Sequence, residues 1–224
     1  MGIRHAIILA AGRGARMAPL TDVLPKPMAP YAGSTLIAHG IEKIRTRVPF
    51  IHITVGYKKA MLAQHVIEHG ACSVFNTDGH GNAWWLFNTL ASVIDEPVYV
   101  LTCDNVVELD FELIEEEYVA RGNPAGMLVP VRPVEGLDGD YIFHENYSVT
   151  EIDRNKPSDI YCSGIQILNP SKINKMIAQS DDFYLVWKQL IERNELKISS
   201  VYPKKWFSVD TLAQLSTLNK VSLS

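Results

Sequence analysis

The chain has 224 residues, of which 47% are hydrophobic and 21% charged, a balance typical of a folded globular protein and one that excludes disordered and fibrous classes. Its 21 Lys and Arg residues against 25 Asp and Glu residues give a formal net charge of -4. Because this charge provides no general attraction for polyanions, we expect neither a nucleic-acid partner nor a membrane. A local basic site for a small anion is compatible with it.

The cysteine pattern points to a reducing compartment. The three cysteines, Cys72, Cys103 and Cys162, form no Cys-x-x-Cys pair, which argues against a disulfide framework and against a zinc site built from cysteines. The apolar run from Ala6 to Ala11 is too short for a signal-sequence core or a membrane span. These features predict a cytoplasmic protein.

The first 131 residues alternate strands with helices. Apolar runs and helical spacing predict strands over residues 3–10, 51–55, 73–75, 98–102 and 125–131, and helices over 34–47, 58–69, 82–93 and 112–119. This alternation predicts an α/β fold with a Rossmann-like, mostly parallel sheet flanked by helices, in which ligands gather beyond the carboxyl ends of the strands.

The remaining residues favour a small mixed β lobe. We predict strands over residues 141–143, 148–152 and 160–168, followed by helices over 171–178 and 183–193. No internal repeat is present, so we expect a single domain spanning residues 1–224. The chain ends soon after residue 210, and we therefore expect one activity rather than two.

A long segment between residues 12 and 33 follows the first strand and carries four prolines, a density that excludes a regular helix. Its start is rich in small residues and glycines, which lets backbone N–H groups approach phosphate oxygens. The dinucleotide fingerprint fails because Met17 stands where glycine is required, and no Gly-Lys-Ser/Thr for a P-loop occurs. Arg13, Arg16 and Lys26 would suit a triphosphate. An ordinary turn with solvated cations is the alternative.

These residues carry a resemblance to a family. Leu9 to Met28 matches, at every defined position, the signature Leu-Ala-Ala-Gly-x-Gly-x-Arg-hydrophobic-x-Pro-Leu-Thr-x-x-x-Pro-Lys-x-hydrophobic of the nucleotidyltransferases that make sugar nucleotides. The resemblance implies that Arg16 contacts the departing pyrophosphate and that Lys26 holds phosphate oxygens at the reacting centre. It also implies that the triphosphate binds to the loop formed by Leu9, Ala10, Ala11, Gly12, Arg13 and Gly14.

Two aspartates are candidate metal ligands. Asp104 directly follows an apolar strand, where a carboxylate either holds Mg²⁺ between two phosphates or caps a turn. The resemblance implies that Asp104 and Asp210 together bind Mg²⁺ as the cofactor. Asp210 also precedes Leu212 in a predicted helix start, so N-capping is its other interpretation, and one residue can do both.

The acceptor is less determined. Lys156-Pro157 resembles the family segment whose lysine binds the second substrate's phosphate, but Asn155 replaces the usual sugar-binding glutamate. Asn76, Gly81 and Asn82 are candidate nucleotide-binding residues, and their surroundings are more similar to the choline-phosphate cytidylyltransferase branch. The adjacent Trp84 and Trp85 are candidates either for a cage around a quaternary ammonium or for packing.

The sequence thus predicts an Mg²⁺-dependent nucleotidyltransferase whose partners are an NTP and a phosphorylated small-molecule acceptor. We favour a sugar 1-phosphate as the acceptor, giving an NDP-sugar and pyrophosphate. A cytidylyltransferase acting on phosphocholine or a similar phospho-alcohol and a catalytically silent nucleotide-binding homologue are the alternatives. A glycosyltransferase is disfavoured because Asp104 is followed by Asn105-Val106 rather than by a second aspartate. The base, the pathway and the oligomeric state stay open.

Overall fold

The computed structural model describes residues 2–134, 137 and 139–222, without the side chains of residues 221 and 222. Its residues divide into two compact units, each assembled from three segments. The amino-terminal unit comprises Arg4–His80, Leu101–Val107 and Phe207–Ser224, and the middle unit comprises Met1–Ile3, Gly81–Val100 and Glu108–Trp206. The prediction of one functional domain over the whole chain stays a prediction.

The amino-terminal unit is built on parallel strands. β1 (His5–Leu9) pairs with β4 (Phe50–Val55), which pairs with β5 (Ser73–Asn76), and both pairs are parallel. The end of β6 (Val98–Thr102) lies beside β1. The other elements of this unit are the hairpin of β2 (Pro30–Tyr31) and β3 (Ser34–Thr35), and the helices α1 (Leu20–Val23), α2 (Leu36–Arg45), α3 (Lys59–Glu68) and α8 (Leu212–Ser222).

The middle unit contains the mixed part of the sheet. Its strand order is β6, β11 (Tyr161–Leu168), β8 (Gly126–Val131), β12 (Leu196–Ile198), β10 (Ser148–Asp153) and β9 (Tyr141–Glu145). β8 and β12 are parallel, whereas β11 runs antiparallel to β6 and to β8. The helices are α4 (Trp85–Asn88), α5 (Phe111–Ala120), α6 (Pro170–Met176) and α7 (Phe183–Glu192). A separate ribbon joins β7 (Asn105–Glu108) to β13 (Lys205–Ser208).

The predicted α/β class is confirmed, and most predicted elements agree with the structure to within a few residues. Local chemistry fixes several boundaries. Thr35 begins α2 because its hydroxyl accepts a hydrogen bond from the Ala38 N–H at 3.2 Å, and Asp110 begins α5 in the same way through Leu113. The central strands β6 and β8 are almost fully buried, which explains their continuous apolar sequences.

The predicted helix over residues 82–93 is wrong in its extent. The structure contains only the single turn α4 and a 3-10 turn over Leu90–Val93, separated at Thr89. The backbone of Thr89 is extended, and its hydroxyl donates to the Trp85 carbonyl and accepts from the Ala91 N–H. A threonine that bonds the backbone on both sides offers an alternative to helix continuation.

The segment over residues 12–33 was predicted to be a long loop without a regular helix, and the structure corrects this prediction in part. It contains α1 and two 3-10 turns, Ala15–Met17 and Lys26–Met28. An apolar cluster fixes its position, formed by Met17, Ala29, Tyr31, Leu36, Val209, Leu215 and Leu218. Residues from both ends of the sequence of this unit therefore share one core. Among the described residues, no helix has the length and apolar composition needed to cross a membrane.

A histidine pair in the amino-terminal sheet links stability to pH. Burial, and then the neighbouring His5, lower the pKa of His52 from 6.5 to about 4. The His52 ring contacts His5 at 2.9 Å and Ser73 at 2.7 Å. Protonation therefore favours the unfolded chain, and this contribution grows as the pH falls from about 6.5 to about 4.

Over this pH range the free energy of unfolding of the unmodified protein should fall. In His52→Gln we expect this fall to be about 1–2 kcal/mol smaller, because the ring that takes up the proton is absent. Urea denaturation at several pH values between 7.5 and 4 measures the difference. Ser73→Ala is the control, because it removes a hydrogen-bond partner and keeps the titrating ring. Parallel pH profiles for the His52 variant and the unmodified protein would contradict the assignment.

Candidate active site

A cleft of about 380 Å³ lies in the amino-terminal unit, at the ends of β1 and β6. The loop after β1 and the residues after β6 meet there, since the Cys103 N–H donates to the Leu9 carbonyl at 3.1 Å. The lining combines small residues with charged ones: Leu9, Gly12, Gly14, Ala15, Arg16, Lys26, Thr102, Cys103, Asp104 and Asp210. Seven of the predicted site residues thus share one cleft.

Glycine is required at position 14 both by the backbone conformation and by the close approach of Lys26. Its φ of 66° lies in the left-handed region, and a Cβ built there would lie 2.6 Å from the Cβ and 2.7 Å from the Cδ of Lys26. The carbonyl of Gly14 accepts hydrogen bonds from the Met17 N–H and the Thr21 hydroxyl. The glycine therefore lets the stem of Lys26 pass directly against the loop.

Gly12 differs from Gly14. A Cβ at Gly12 would have no heavy atom within 4 Å outside its immediate chain neighbours, and its φ is not in the left-handed region. Packing of the described residues gives no reason for glycine at this position. Ala11 beside it is fixed, because its carbonyl accepts from the Tyr57 N–H at 2.9 Å. The structure therefore leaves space for a ligand to approach the backbone at Gly12.

Lys26 lies between two carboxylates. Its Nζ donates to Oδ2 of Asp104 at 2.6 Å and to Oδ1 of Asp210 at 2.8 Å, and the lysine side chain is only 10% exposed. Burial alone lowers the pKa of Lys26, but the two carboxylates outweigh burial and raise it above its ordinary value. Lys26 is therefore an ammonium ion throughout the physiological pH range.

The two arginines have different surroundings. Arg16 contacts Oδ1 of Asp210 at 3.0 Å while its side chain remains 62% exposed. Arg13 lies 3.7 Å from Asp22 and 5.4 Å from the ring centre of Tyr57, and it does not line the cleft. The structure therefore brings Arg16, but not Arg13, to the cluster of Lys26 and the aspartates.

The carboxylate of Asp210 is not used to cap α8. Thr211 and Gln214 form the cap instead: the Gln214 side chain accepts from the N–H groups of Asp210 and Thr211 at 2.7 and 2.9 Å, and the Thr211 hydroxyl accepts from the Gln214 N–H. This reciprocal arrangement is a capping box. The N-capping interpretation of the Asp210 side chain is therefore wrong, and its oxygens face the cations.

Asp104 is held by its backbone. Its carbonyl accepts from the Val209 N–H at 2.9 Å, which ties the two aspartate loops together. The side chain of the following Asn105 turns back to the Thr102 hydroxyl at 2.7 Å.

Cys103, beside Asp104, is not a candidate nucleophile. Burial raises the pKa of its thiol, so this cysteine is a neutral group at pH 7.

Asn76, Gly81 and Asn82, which were also predicted to bind the nucleotide, do not line this cleft. Asn76 ends β5 and accepts a hydrogen bond from the Asp78 N–H. Gly81 and Asn82 belong to the middle unit, where both support the chain before α7. A Cβ at Gly81 would lie 2.1 Å from the Asp181 carbonyl oxygen, and the Asn82 side chain accepts from the Phe183 N–H at 3.0 Å. Their roles toward a nucleotide stay predictions.

Lys156 also belongs to the middle unit. Its Nζ contacts Glu151 at 2.6 Å and lies 4.2 Å from the ring centre of Phe143, and its side chain is 57% exposed. Trp85 is 1% exposed and packs near Phe183. A buried tryptophan cannot form the wall of an open aromatic cage, so the structure supports the packing interpretation for Trp85.

The cluster fits a divalent cation that keeps several non-protein ligands. Within the described part of the chain, no group of three or more His, Cys, Asp or Glu side chains is arranged to hold a metal. The carboxylates of Asp104 and Asp210 are 24% and 20% exposed and meet at one ammonium group. Two carboxylates with substrate phosphates and water are the donor set that Mg²⁺ uses in phosphate chemistry.

Sequence reasoning missed Ala15, Thr102 and Cys103 as cleft residues, and it missed the cap of α8. The signal for the cap was present, since Thr211-Leu-Ala-Gln214 has the spacing of a capping box. The two residues before Asp104 belong to the same strand end. These residues line the cleft only because of where the backbone places them, and their residue types do not indicate a binding site.

Comparison with known proteins identifies a matching family and several relatives. The model of a family described as nucleotidyl transferase matches residues 5–209. The bifunctional protein GlmU of Methanocaldococcus jannaschii is 36% identical over 110 residues, covering 48% of this chain and 26% of that protein. Mannose-1-phosphate guanyltransferase of Candida albicans is 28% identical over 183 residues, covering 75% of this chain and 50% of that protein. The matched region thus spans half or less of these relatives.

Solved structures share the fold. The inositol-1-phosphate CTP transferase from T. maritima has a TM-score of 0.81 at 17% identity, covering 100% of this chain and 96% of that chain. The CTP:phosphocholine cytidylyltransferase LicC from Streptococcus pneumoniae has a TM-score of 0.74 at 20% identity, covering 99% of both chains. At these identities the likeness concerns the fold alone.

The two loop glycines provide a matched pair of substitutions. Gly14→Ala places a Cβ in the left-handed region and against Lys26, so we expect it to lower the free energy of unfolding by about 1–3 kcal/mol. Gly12→Ala meets open space, and we expect a change within about 0.5 kcal/mol. Chemical denaturation measures both. Equal stability losses for the two variants would contradict the packing described for Gly14.

Proposed function

This chain belongs to the nucleotidyl transferase family, and we propose that it joins an NTP to a sugar 1-phosphate, giving an NDP-sugar and pyrophosphate. The observation that carries this proposal is the cluster in the cleft, where Lys26 and Arg16 meet the carboxylates of Asp104 and Asp210. Cations and carboxylates gathered beside a glycine loop suit a metal-bound triphosphate, whose charge must be neutralised before an anion can attack it.

The proposed reaction needs no general base. An oxygen of the acceptor phosphate attacks the α-phosphorus of the NTP, the new P–O bond forms, and the bond from that phosphorus to the bridging oxygen of pyrophosphate breaks with its electron pair. The acceptor phosphate is already an anion near pH 7, so no proton has to be removed. Catalysis then depends on positioning and on charge neutralisation.

Each residue of the cluster has a proposed part in this chemistry. Arg16, which is exposed and oriented by Asp210, would bind the departing pyrophosphate, and Lys26 would bind phosphate oxygens at the reacting centre. The triphosphate would approach the backbone at Gly12, because among the described residues no heavy atom other than those of its chain neighbours lies within 4 Å of where a Cβ would stand. Asp104 and Asp210 would hold Mg²⁺, which when bound neutralises phosphate charge and orients the reacting groups.

The acceptor proposal rests on two observations in the middle unit. Lys156 is an exposed cation on a loop, with a carboxylate partner that a phosphate can replace. The burial of Trp85 weakens the competing proposal of phosphocholine with CTP, which drew on an aromatic cage. The pattern around Asn76 and Asn82 still favours that phospho-alcohol branch, and it is the second candidate. A silent nucleotide-binding homologue is the third.

The proposed location is the cytoplasm. The proposal follows from the cysteine pattern, because Cys72, Cys103 and Cys162 are free thiols and a reducing compartment would keep them so. The proposed partners are the two small-molecule substrates, without nucleic acid or membrane.

Pyrophosphate release with Mg²⁺ is the direct test. A grid of the four NTPs against several sugar 1-phosphates, phosphocholine and phosphoethanolamine should give one combination well above the others, with a sugar 1-phosphate as the acceptor. Turnover with phosphocholine and CTP alone would establish the second candidate. A grid without turnover, together with measurable nucleotide binding by calorimetry, would support the silent homologue.

Asp104→Asn tests the proposed metal ligand. The variant keeps the shape of the side chain and the backbone bond to Val209 but loses the negative charge, so we expect turnover to fall by about 10³-fold or more. Asp95→Asn is the control, because Asp95 is an exposed carboxylate paired only loosely with Lys175 at 4.0 Å. Near-normal turnover of Asp104→Asn at saturating Mg²⁺ would refute the role.

A further inference from the structure

We propose that the ammonium group of Lys26 is an exchangeable counter-ion that occupies the divalent-cation position between Asp104 and Asp210, so that the metal binds well only together with the triphosphate. The inference rests on the proposed function and extends it to the order in which the ligands bind. It concerns a competition between a side chain of the protein and the metal for the same two oxygens.

The geometry places Lys26 where a bridging cation would lie. One nitrogen contacts Oδ2 of Asp104 and Oδ1 of Asp210 at 2.6 and 2.8 Å. A Mg²⁺ ion held by these two carboxylates would have to take the place of the ammonium group as their counter-ion. The ammonium group and the metal would therefore compete for the same two carboxylates.

Electrostatics explains why a cation is needed there before any ligand arrives. Two carboxylates that share a partly buried position repel each other unless a cation lies between them. Lys26 removes that repulsion. A metal that enters alone must displace an ammonium ion that is buried and hydrogen-bonded twice, and it takes both carboxylate partners away from that charge.

The triphosphate changes this balance. Its oxygens are alternative partners for the displaced ammonium group of Lys26 and for Arg16, whose guanidinium also contacts Oδ1 of Asp210 at 3.0 Å. When both cations transfer to phosphate oxygens, the carboxylates become available to the metal. The cost of displacement then disappears, and metal and triphosphate bind with positive coupling.

The test measures Mn²⁺ binding without nucleotide, by the loss of the free Mn²⁺ signal in electron paramagnetic resonance. Lys26→Met removes the competing charge and keeps the apolar stem, so we expect it to bind Mn²⁺ at least about tenfold more tightly than the unmodified protein. Lys175→Met, which removes an exposed lysine of the middle unit, is the charge-matched control and should leave the affinity unchanged.

Two further variants make the result decisive. The double variant Lys26→Met/Asp104→Asn should lose the gain, which assigns it to this carboxylate pair. Lys26→Gln keeps N–H donors without the charge, and it replaces Lys26→Met if circular dichroism shows that Lys26→Met is unfolded. We expect Lys26→Gln also to bind Mn²⁺ more tightly than the unmodified protein. Unchanged or weaker Mn²⁺ binding by the folded variant overturns the proposal.

The outcome is independent of the enzymatic assay. If the unmodified protein releases pyrophosphate but the Lys26 variant shows no gain in Mn²⁺ affinity, the counter-ion proposal fails and the proposed function stands. If the variant gains affinity while no substrate pair is turned over, the exchange is real and the proposed function fails.

Discussion

The ion cluster around Lys26 is the constraint on which the rest of the amino-terminal unit depends. A lysine side chain that is only 10% exposed needs partners, and two carboxylates from distant parts of the sequence provide them at 2.6 and 2.8 Å. Three loops must therefore meet at one nitrogen atom. The left-handed Gly14, the short turns after β1 and the apolar cluster around Met17 and Val209 all serve this convergence.

Stability and chemistry make opposite demands on such a cluster. Removing one partner of a buried ion pair leaves a charge without compensation, which destabilises the folded chain. The same pairing reduces the readiness of the carboxylates to bind anything else. Asp104 and Asp210 are 24% and 20% exposed, so both carboxylates remain accessible from solvent.

Much of the fold was predictable because its signals are local. Apolar runs identified the buried strands β1, β6 and β8, and Thr35 and Asp110 mark helix starts through their own hydroxyl or carboxylate. The helix over residues 82–93 failed because the side chain of Thr89 competes for backbone groups, an effect that helical spacing does not reveal. The short strands β7, β12 and β13 carry too few residues for a periodic pattern.

The candidate site was predictable in its parts but not in its arrangement. The glycine loop, Lys26, Asp104 and Asp210 were all found by motif and resemblance. Nothing in the sequence indicated that Lys26 would bridge both aspartates, or that the Gly14 position is governed by the lysine stem, because these are distances between residues as far apart as 26 and 210. The absence of Asn76, Gly81 and Asn82 from the lining of the cleft is likewise a property of the folded backbone.

The segmented construction of the amino-terminal unit has a consequence for biosynthesis. The unit takes its residues from three stretches of the chain, and the last stretch, after Trp206, supplies Val209 to the core and Asp210 to Lys26. A ribosome delivers these stretches in order, so Lys26 and Asp104 emerge long before the second carboxylate does. The ion cluster around Lys26 therefore becomes complete only after Asp210 has left the ribosome.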